Sequence, residues 1–185
     1  GTFTKDNYNT VKDAIKDIEN VRTVFETSED SGAELTDDFE PTSLTPLLRD
    51  SKKLYNHIIT KTRAVAKARF EALGQGENFH FLDVTLKENT YTDVSRTQNT
   101  IYQRLNYEKP SGTVVNVRKS MWIHPTINRA VSIREAARLQ TFPDSFVFCG
   151  TKDSQYQQVG NAVPPILAKA IAEHLASYLD QKKNG

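Results

Sequence analysis

The sequence predicts an α+β fold in which helices at both ends flank a small, twisted and mostly antiparallel sheet. Three patterns indicate it. Residues 10–21 space their apolar side chains at helical intervals, and Ser132 with Glu135 forms the capping box that begins a later helix. Between these helices residues 78–124 are irregular, and TVVNVR at 113–118 alternates apolar and polar residues as a half-buried strand does. We therefore expect the strand-rich part in the middle of the chain.

The helices at the two ends have recognisable boundaries. Thr10 is a suitable N-cap for the first helix. The apolar face of that helix comprises Val11, Ala14, Ile15 and Ile18. The capping-box helix runs through Gln140 and ends before Pro143, while Pro164 and Pro165 begin the last helix. The apolar-leaning face of the last helix comprises Leu167, Ala170, Ile171, His174, Leu175 and Tyr178.

Charge is unevenly distributed in the first half of the chain. Residues 26–40 hold seven acidic side chains and no basic one, which predicts a solvated or disordered loop. The alternative is that this run shields the basic segment that follows it. We interpret residues 43–73 as helical, beginning at Pro46 and closed by Gly74. The expected buried stripe of this segment comprises Leu54, Ile58, Val65, Ala68 and Ala72.

Composition limits the classes of function. The 24 basic and 23 acidic side chains nearly cancel, so a nucleic-acid surface requires local segregation of charge. No apolar run approaches the roughly 18 residues of a membrane span, and no secretion signal opens the sequence. We expect a soluble, cytoplasmic protein without a membrane partner. The sequence opens at GTFTKDN rather than at methionine, from which we expect an excised piece of a longer chain or a processed one.

Cysteine, histidine and tryptophan indicate structural roles. The single cysteine, Cys149, excludes a disulfide framework, and we expect a free, half-buried thiol. The four histidines show no pairing with cysteine or carboxylates at metal-ligand spacing, so no metal site is predicted. Trp122 is interpreted as an anchor in the core or in an interface, with a stacking platform for a base as the alternative.

The stretch from Arg129 to Pro165, RAVSIREAARLQTFPDSFVFCGTKDSQYQQVGNAVPP, is the most informative in the chain. Its first half, R-x-V-S-x-R-E-x-A-R-L-Q-x-F-P-D, resembles the ninth conserved block of the DNA cytosine-5 methyltransferases, and QVGNAVPP resembles the tenth. TVKDAIKDI resembles the turn that follows the eighth block of that family, and TIYQRLNYEKPSGTVV resembles the core of its recognition domain. The chain is therefore similar to the carboxy-terminal part of such an enzyme, and a bacterial restriction-modification system is its expected source.

The resemblance implies a reaction whose nucleophile is absent from this sequence. The family adds a cysteine thiolate to C6 of cytosine before C5 accepts the methyl group of S-adenosylmethionine. It carries that cysteine in a Pro-Cys dipeptide, together with Glu-Asn-Val and F-x-G-x-G blocks. Pro-Cys and F-x-G-x-G do not occur here, and the tripeptide Glu19-Asn20-Val21 follows the segment that resembles the turn after the eighth block, with no cysteine before it. No catalytic residue is therefore assigned. From this chain alone we expect little cofactor affinity, no methyl transfer and weak, salt-sensitive association with double-stranded DNA.

The family's organisation implies three segments. Residues 1–22 would be the helix that follows the catalytic half, residues 23–128 the target-recognition domain, and residues 129–185 the ninth and tenth blocks with the terminal helix. The final helices would be a remnant of a Rossmann-like methyltransferase domain, whose apolar face should be exposed, frayed or docked elsewhere. The missing catalytic half would belong to the same chain or to a separate subunit. The alternative is a stand-alone DNA-binding or regulatory module.

In the family the tenth block completes the S-adenosylmethionine pocket. The resemblance assigns this role to Asn161, Ala162 and Val163, with Gly160 allowing a tight turn. Ordinary turn chemistry before Pro-Pro is the alternative. The ninth block mainly organises the recognition domain against the catalytic one. The residues that the resemblance assigns to it are Arg129, Ser132, Arg134, Glu135 and Arg138.

Sequence-specific DNA contact requires side chains that reach base edges, as arginine does for guanine and glutamine or asparagine for adenine. Candidates of these types and one lysine flank the predicted strands of the recognition segment. They are Arg96, Gln98, Asn99, Gln103, Arg104, Arg118 and Lys119. Each would read a base or, alternatively, would be a surface or phosphate-contacting residue.

Overall fold

The computed structural model of the protein describes residues 8–88, 99–115 and 117–183. Its helices are α1 (Val11–Ile15), α2 (Thr45–Leu48), α3 (Ala64–Ala72), α4 (Val84–Lys87), α5 (Val117–Ser120), α6 (Ile133–Leu139), α7 (Lys152–Asn161) and α8 (Pro165–Lys183). Its strands are β1 (Ala33–Glu34) and β2 (Lys53–Leu54), and 3₁₀ turns occupy Lys16–Ile18, Thr27–Glu29 and Phe79–Phe81. Among these residues we find no helix that combines the length and the apolar character needed to cross a membrane.

α1 begins and packs as the sequence predicts. The Thr10 hydroxyl accepts a hydrogen bond from the Asp13 amide at 3.3 Å, and the Asp13 carboxylate accepts one from the Thr10 amide at 2.7 Å. This capping box satisfies two amides at a helix start, where intrahelical partners are missing. The four apolar residues predicted for the inner face are all buried, although the chain tightens into a 3₁₀ turn after Ile15.

The prediction of a helical segment over residues 43–73 is wrong in its middle. The chain forms α2, then β2, and then an extended stretch before α3. The backbone of Asn56 adopts a φ of 63°, a left-handed conformation that interrupts an α-helix. Just after it, the amide of Ile59 and the carbonyl of His57 both bond to Val24, so the backbone groups here are satisfied by a distant segment.

The buried face of α3 is shifted by one residue from the predicted stripe. The side chains of Ala66, Arg69 and Phe70 are buried. The predicted Val65 is 61% exposed, and Ala72 is exposed as well. Phe70 is the largest apolar side chain of this helix and is fully buried, so its packing determines which face of α3 turns inward.

The fold mixes helices with a small two-stranded antiparallel sheet. β1 pairs with β2, with Ala33 opposite Leu54. This sheet lies outside residues 78–124, where the sequence places the strands. In the described part of that stretch the strand-like pairing consists of isolated bridges, such as the one between Arg104 and Ile123.

The strand predicted for TVVNVR is also wrong. Val114 and Val117 are both buried, whereas Val115 is 46% exposed. Burial three residues apart is the spacing of a helical turn and not of a strand, in which alternate residues share a face. The chain accordingly enters α5 at Val117.

The acidic stretch over residues 26–40 is largely exposed, as predicted, and it contains local structure. The carboxylate of Glu29 accepts hydrogen bonds from the amides of Phe25 and Glu26 at 3.0 and 3.2 Å. The carboxylate of Asp30 accepts one from the Asn56 amide at 2.6 Å. Some of its carboxylates therefore act as backbone acceptors that attach the stretch to the body of the protein.

Two hydrophobic clusters hold the described residues together. The larger joins α1, α6 and α7 around Trp122, whose complete burial confirms its interpretation as a core anchor. The smaller surrounds Phe70 of α3, which packs with Phe79 and Tyr102. α8 lies outside both clusters except at its first turn, where Ile166 packs against the larger one.

Candidate functional site

The residues of the ninth block form a buried ion network around α6. Arg129 donates two hydrogen bonds of 2.7 Å to the Glu135 carboxylate, and the Ser132 amide donates another of 2.7 Å. The Ser132 hydroxyl accepts from the Glu135 amide at 3.0 Å, which confirms the predicted capping box. Burial alone would raise the pKa of Glu135, but the hydrogen bonds and charge of Arg129 lower it from 4.5 to about 2. Glu135 is therefore ionised inside the core at neutral pH.

Arg138 of α6 connects this helix to α1 and to the 3₁₀ turn that follows it. Its guanidinium contacts the Asp144 carboxylate, with Nε at 2.9 Å, and also bonds to Asp17 and to the Ala14 carbonyl. Burial would lower the pKa of Arg138, but its hydrogen bonds and its attraction to Asp144 and Asp17 raise it. Removing one partner would leave an uncompensated buried charge, so this group stabilises the junction between the two helices.

Asn56 and Arg134 form a second buried polar junction that the sequence reasoning missed. The side-chain nitrogen Nδ2 of Asn56 donates to the Phe148 carbonyl at 2.9 Å and to Gln155 Oε1 at 3.0 Å. Its Oδ1 accepts from the Phe148 amide at 2.9 Å and from Arg134 Nη2 at 3.1 Å. Arg134 directs its other donors to backbone carbonyls. An asparagine within a predicted helix is a local signal for a left-handed residue and could have indicated the break.

His57 and His124 lie in this polar core as neutral side chains. His57 Nδ1 is 2.9 Å from the Ser132 hydroxyl, and His124 Nε2 is 3.7 Å from the Glu135 carboxylate. Burial lowers the pKa of both histidines from 6.5 to about 4, although Glu135 acts in the opposite direction. Within the described ranges no group of three or more His, Cys, Asp or Glu side chains is arranged to hold a metal ion.

The prediction that Arg104 contacts DNA is wrong. Its side chain is buried, and its guanidinium donates to the carbonyls of Phe70, Leu73 and His124 and to Asn128 Oδ1. Burial lowers the pKa of Arg104. The side chain joins the end of α3 to the loop after Trp122, and its donors face the protein interior.

The other DNA candidates have different environments. Those that fall outside the described residues are Arg96 and Gln98. Those at the surface are Asn99, Arg118 and Lys119, while Gln103 is half-buried. Arg118, in α5, forms an ion pair with Asp153 in the first turn of α7. The exposed candidates have side chains that a DNA surface could reach.

The residues of the tenth block form the connection between α7 and α8. Asn161 is the last residue of α7 and is exposed, Ala162 is half-buried, and Val163 is 62% exposed. The predicted tight turn at Gly160 is wrong, because Gly160 lies inside α7. The chain leaves the helix at Ala162, whose backbone is extended, and the two prolines that follow cannot continue α7.

A groove of about 480 Å³ opens beside this connection. Residues 111–115 of the recognition segment line it together with Gly160, Ala162, Pro164 and Gln140. Small apolar and hydroxyl-bearing residues of this kind suit a nucleoside or an amino-acid portion of a ligand. Of the three predicted cofactor residues, Ala162 lines the groove, while Asn161 and Val163 do not.

The apolar face of α8 is exposed, as the sequence predicts for a helix without its sheet. The side chains concerned are all more than half exposed: Leu167, Ile171, Leu175, Tyr178 and Leu179. α8 has 19 residues, and its apolar stripe begins at Leu167, which also lines the groove. The groove and the stripe therefore form one continuous surface.

Cys149 is a free and exposed thiol, so the prediction of a half-buried thiol is wrong. The neighbouring Phe148 occupies the core, and the chain then turns at Gly150 with a φ of 97°. Burial of Phe148 in this extended stretch leaves the next side chain pointing outward.

The chain is similar to known proteins along most of its length. The sequence model described as C-5 cytosine-specific DNA methylase matches residues 2–177. The chain belongs to that family. Type II methyltransferase M.DdeI of Desulfomicrobium norvegicum is 33% identical to the chain over an alignment of 144 residues, and the match covers 71% of this chain and 35% of M.DdeI.

Two further similarities concern a short methyltransferase and a solved structure. Type II methyltransferase M.AquIB of Picosynechococcus sp. is 40% identical over an alignment of 106 residues, and the match covers 49% of this chain and 76% of M.AquIB. A crystal structure described as a DNA modification methyltransferase encoded within an E. coli prophage has a TM-score of 0.68 and 23% identity, and the match covers 97% of this chain and 51% of that one. This likeness shows a methyltransferase fold. The chain spans about a third of M.DdeI and about half of the solved structure.

Proposed function

We propose that this chain is the DNA-recognition and carboxy-terminal part of an enzyme that transfers a methyl group from S-adenosylmethionine to C5 of cytosine in a specific DNA sequence. The chain would supply the surface that reads DNA and one wall of the cofactor pocket. The observation that carries the proposal is the family match over a sequence that contains no Pro-Cys dipeptide. The thiol of the reaction would therefore belong to another segment.

The only thiol here does not suit the reaction. S-adenosylmethionine supplies an electrophilic methyl group, and the cytosine ring must first accept a thiolate at C6. Cys149 follows Phe148 instead of a proline, and it is exposed. An exposed thiol without an organised pocket gives a nucleophile no fixed approach to a base. We assign no catalytic residue to this chain.

The groove beside Ala162 fits the role of a partial cofactor site. Its lining residues are small enough to admit part of a nucleoside, and the wall opposite the recognition segment belongs to the tenth block. Asn161 and Val163 lie at the surface next to it, where a second wall could reach them. Half of a pocket buries too little of a ligand for tight binding, so this chain alone should have little affinity for S-adenosylmethionine.

The exposed stripe of α8 supports docking of the catalytic half. Contiguous apolar surface on a soluble protein marks an interaction site, and a surface helix normally turns such a stripe toward a core. The stripe is continuous with the groove at Leu167. A catalytic half seated on α8 would therefore also close the cofactor pocket.

DNA contact is proposed for the exposed candidates of the recognition segment. Asn99, Arg118 and Lys119 have the chemistry for phosphate or base contact and lie at the surface, and Gln103 is partly accessible. A target cytosine must leave the base stack before its C5 and C6 can react. The recognition surface would hold the remaining base pairs of the site while this happens.

A split enzyme, with the two halves on separate polypeptides, is the second candidate. M.AquIB favours it, because an alignment of 106 residues covers 76% of that protein. A protein named as a methyltransferase can therefore be about as short as this chain. The split arrangement and the single-chain arrangement place the same residues at the cofactor and at DNA.

Methyl transfer by the chain alone and with its catalytic half tests the proposal. The 185-residue chain should incorporate no tritiated methyl groups into DNA. The same chain should do so at cytosine when it is joined to, or mixed with, the half that carries the Pro-Cys block. Incorporation by the chain alone, or none by the combined protein, would overturn the proposal. Failure of separate halves to associate at micromolar concentration would discard the split arrangement only.

A further inference from the structure

The end of α6 reaches across to the connection between α7 and α8. Gln140 is buried, and its Nε2 donates to the carbonyls of Val159 at 3.1 Å, Val114 at 3.3 Å and Ala162 at 3.5 Å. These carbonyls come from the last turn of α7, from the recognition segment and from the connection itself. A single amide group therefore holds together both walls of the groove.

Only a donor suits this position. Three carbonyl oxygens converge on the Gln140 nitrogen, and a carboxylate oxygen facing them would meet like partial charges. The Val159 carbonyl lies in the last turn of α7 and also accepts from the Ala162 amide at 3.4 Å, so Gln140 is a second donor to this helix end. The orientation of the Gln140 amide follows from these acceptors.

Thr141 makes a second contact with the connection between α7 and α8. Its hydroxyl accepts a hydrogen bond from the Ile166 amide at 3.2 Å, in the first turn of α8, where an amide has no intrahelical partner. Thr141 adopts a φ of 63°, which is unfavourable for a β-branched residue. Adjacent amides hold this conformation, since Thr141 donates to the Arg138 carbonyl and Phe142 to the Ala137 carbonyl.

We infer that Gln140 and Thr141 are positioning residues that set the geometry of the cofactor groove. Gln140 fixes the distance between Ala162 and Val114, which both line the groove, and Thr141 fixes the start of α8. Neither side chain is assigned to contact a substrate. The inference rests on the proposed function in one respect only, namely that the ligand of the groove is S-adenosylmethionine.

Four variants distinguish the effect of losing these hydrogen bonds from the effect of changing the volume of the side chain. Gln140→Met keeps the length of the side chain and removes the donor, and Thr141→Val keeps its shape and removes the acceptor. Thr141→Ser keeps the hydroxyl and should restore wild-type behaviour. Gln157→Met makes the same exchange as the first variant at an exposed position of α7 and is the matched control.

Hydrogen exchange of the 185-residue chain is the first measurement. Gln140→Met should speed exchange in peptides covering residues 159–168 by at least about fivefold, as should Thr141→Val, because each removes a hydrogen bond that holds this connection. Peptides from α1 should be unchanged. Gln157→Met and Thr141→Ser should match the wild type. Equal exchange in all proteins would overturn the inference, whether or not the chain belongs to an active enzyme.

The second measurement uses the chain combined with its catalytic half. Gln140→Met should raise KM for S-adenosylmethionine about tenfold and change kcat by less than about twofold, because the wall of the pocket is displaced while the thiol is not. A variant that merely unfolds would lose kcat and leave KM of the remaining molecules unchanged. That outcome, together with exchange that is accelerated equally in α1 and in residues 159–168, would assign Gln140 a purely structural role and overturn the inference. A wild-type protein without activity would instead contradict the proposed function.

Discussion

At the scale of single residues, Asn56 connects three separate parts of the chain through its buried side chain. Asn56→Ala removes hydrogen bonds to Arg134, Phe148 and Gln155 and places a less tolerant residue at a φ of 63°. We expect the free energy of unfolding in urea to fall by roughly 2–4 kcal/mol, because the buried partners lose their hydrogen bonds.

Two controls identify the cause of that loss. Asn56→Gly tolerates the left-handed backbone but lacks the side chain, so it should remain destabilised if the hydrogen bonds matter most. Asn9→Ala changes an exposed asparagine and should alter stability by less than about 0.5 kcal/mol. Wild-type stability in Asn56→Ala would show that these buried hydrogen bonds contribute nothing measurable.

Because His57 and His124 are neutral in the folded protein, we expect the free energy of unfolding to fall as the pH is lowered. In the unfolded chain His57 and His124 bind protons as the pH falls below about 6.5, whereas in the folded protein their pKa is about 4. The unfolded state therefore binds more protons between these values, and the free energy of unfolding falls by up to about 1.4 kcal/mol per pH unit for each histidine. Glu135, whose pKa is lowered from 4.5 to about 2, adds a further loss below pH 4.5.

Urea unfolding at pH 7.5, 6.5 and 5.5 measures this dependence. His124→Gln should reduce the slope by about half, since one of two titrating groups is removed. His174→Gln removes an exposed histidine of α8 and should leave the slope unchanged. Stability that is constant from pH 7.5 to 5.5 would contradict the burial of neutral histidines.

Substitutions of Arg104 and Arg118 should have different effects, the first on stability and the second on DNA binding. Arg104→Gln leaves buried carbonyls without their donor and should lower the free energy of unfolding by roughly 2–4 kcal/mol. Arg118→Gln changes an exposed side chain and should leave stability nearly unchanged. In the combined enzyme it should weaken DNA binding and reduce the slope of log K against log salt by about 1. A stable Arg104→Gln protein with weakened DNA binding would reverse these assignments.

At the scale of the elements, α8 is predicted to be a docking helix. Ile171→Glu with Leu175→Glu should not change the stability of the chain alone, because both side chains are already more than half exposed. Association with the catalytic half should weaken by at least about a hundredfold, since each charge would enter an apolar interface. Titration calorimetry of the two halves gives the dissociation constant.

Ala176→Glu is the matched control for this face. Ala176 is exposed and lies on the opposite side of the helix axis from Leu167, so Ala176→Glu adds one negative charge away from the stripe, and Ile171→Glu alone is the stripe variant of equal charge. It should leave association unchanged. Equal weakening by both changes would indicate a general effect of charge and not a docking face.

Helix starts were predictable from the sequence, and helix interruptions were not. The N-cap at Thr10, the capping box at Ser132 and the Pro164-Pro165 pair that opens α8 are local signals, and all three helices begin where they indicate. The break at Asn56 depends on partners such as Phe148 and Gln155, which are far away in the chain. The asparagine is a local signal for a left-handed residue, but its distant partners cannot be inferred from neighbouring residues, so the pattern of residues 43–73 predicts a continuous helix.

At the scale of the whole molecule, the conserved-block resemblance located the connection at Ala162 but not the groove beside it. Residues 111–115 lie beside this connection, and Gln140 donates hydrogen bonds to both, at Val114 and at Ala162. The same limit explains the error at Arg104, whose sequence surroundings do not reveal that α3 and the loop after Trp122 enclose it. Motifs identify residues in sequence, whereas burial is decided by segments that meet only in the folded chain.

Among the described residues of α8, Ile166 in the first turn is the one that packs against the larger hydrophobic cluster, so a change at this end alters the direction of the whole helix. With 19 residues at about 1.5 Å of rise each, the helix is about 28 Å long. A tilt of about 10° at the Thr141 contact would therefore carry the far end sideways by about 5 Å, roughly one full turn of helix. Substitutions near Thr141 should therefore displace the far end of α8 more than its first turn. A single substitution there can change the direction of the whole helix.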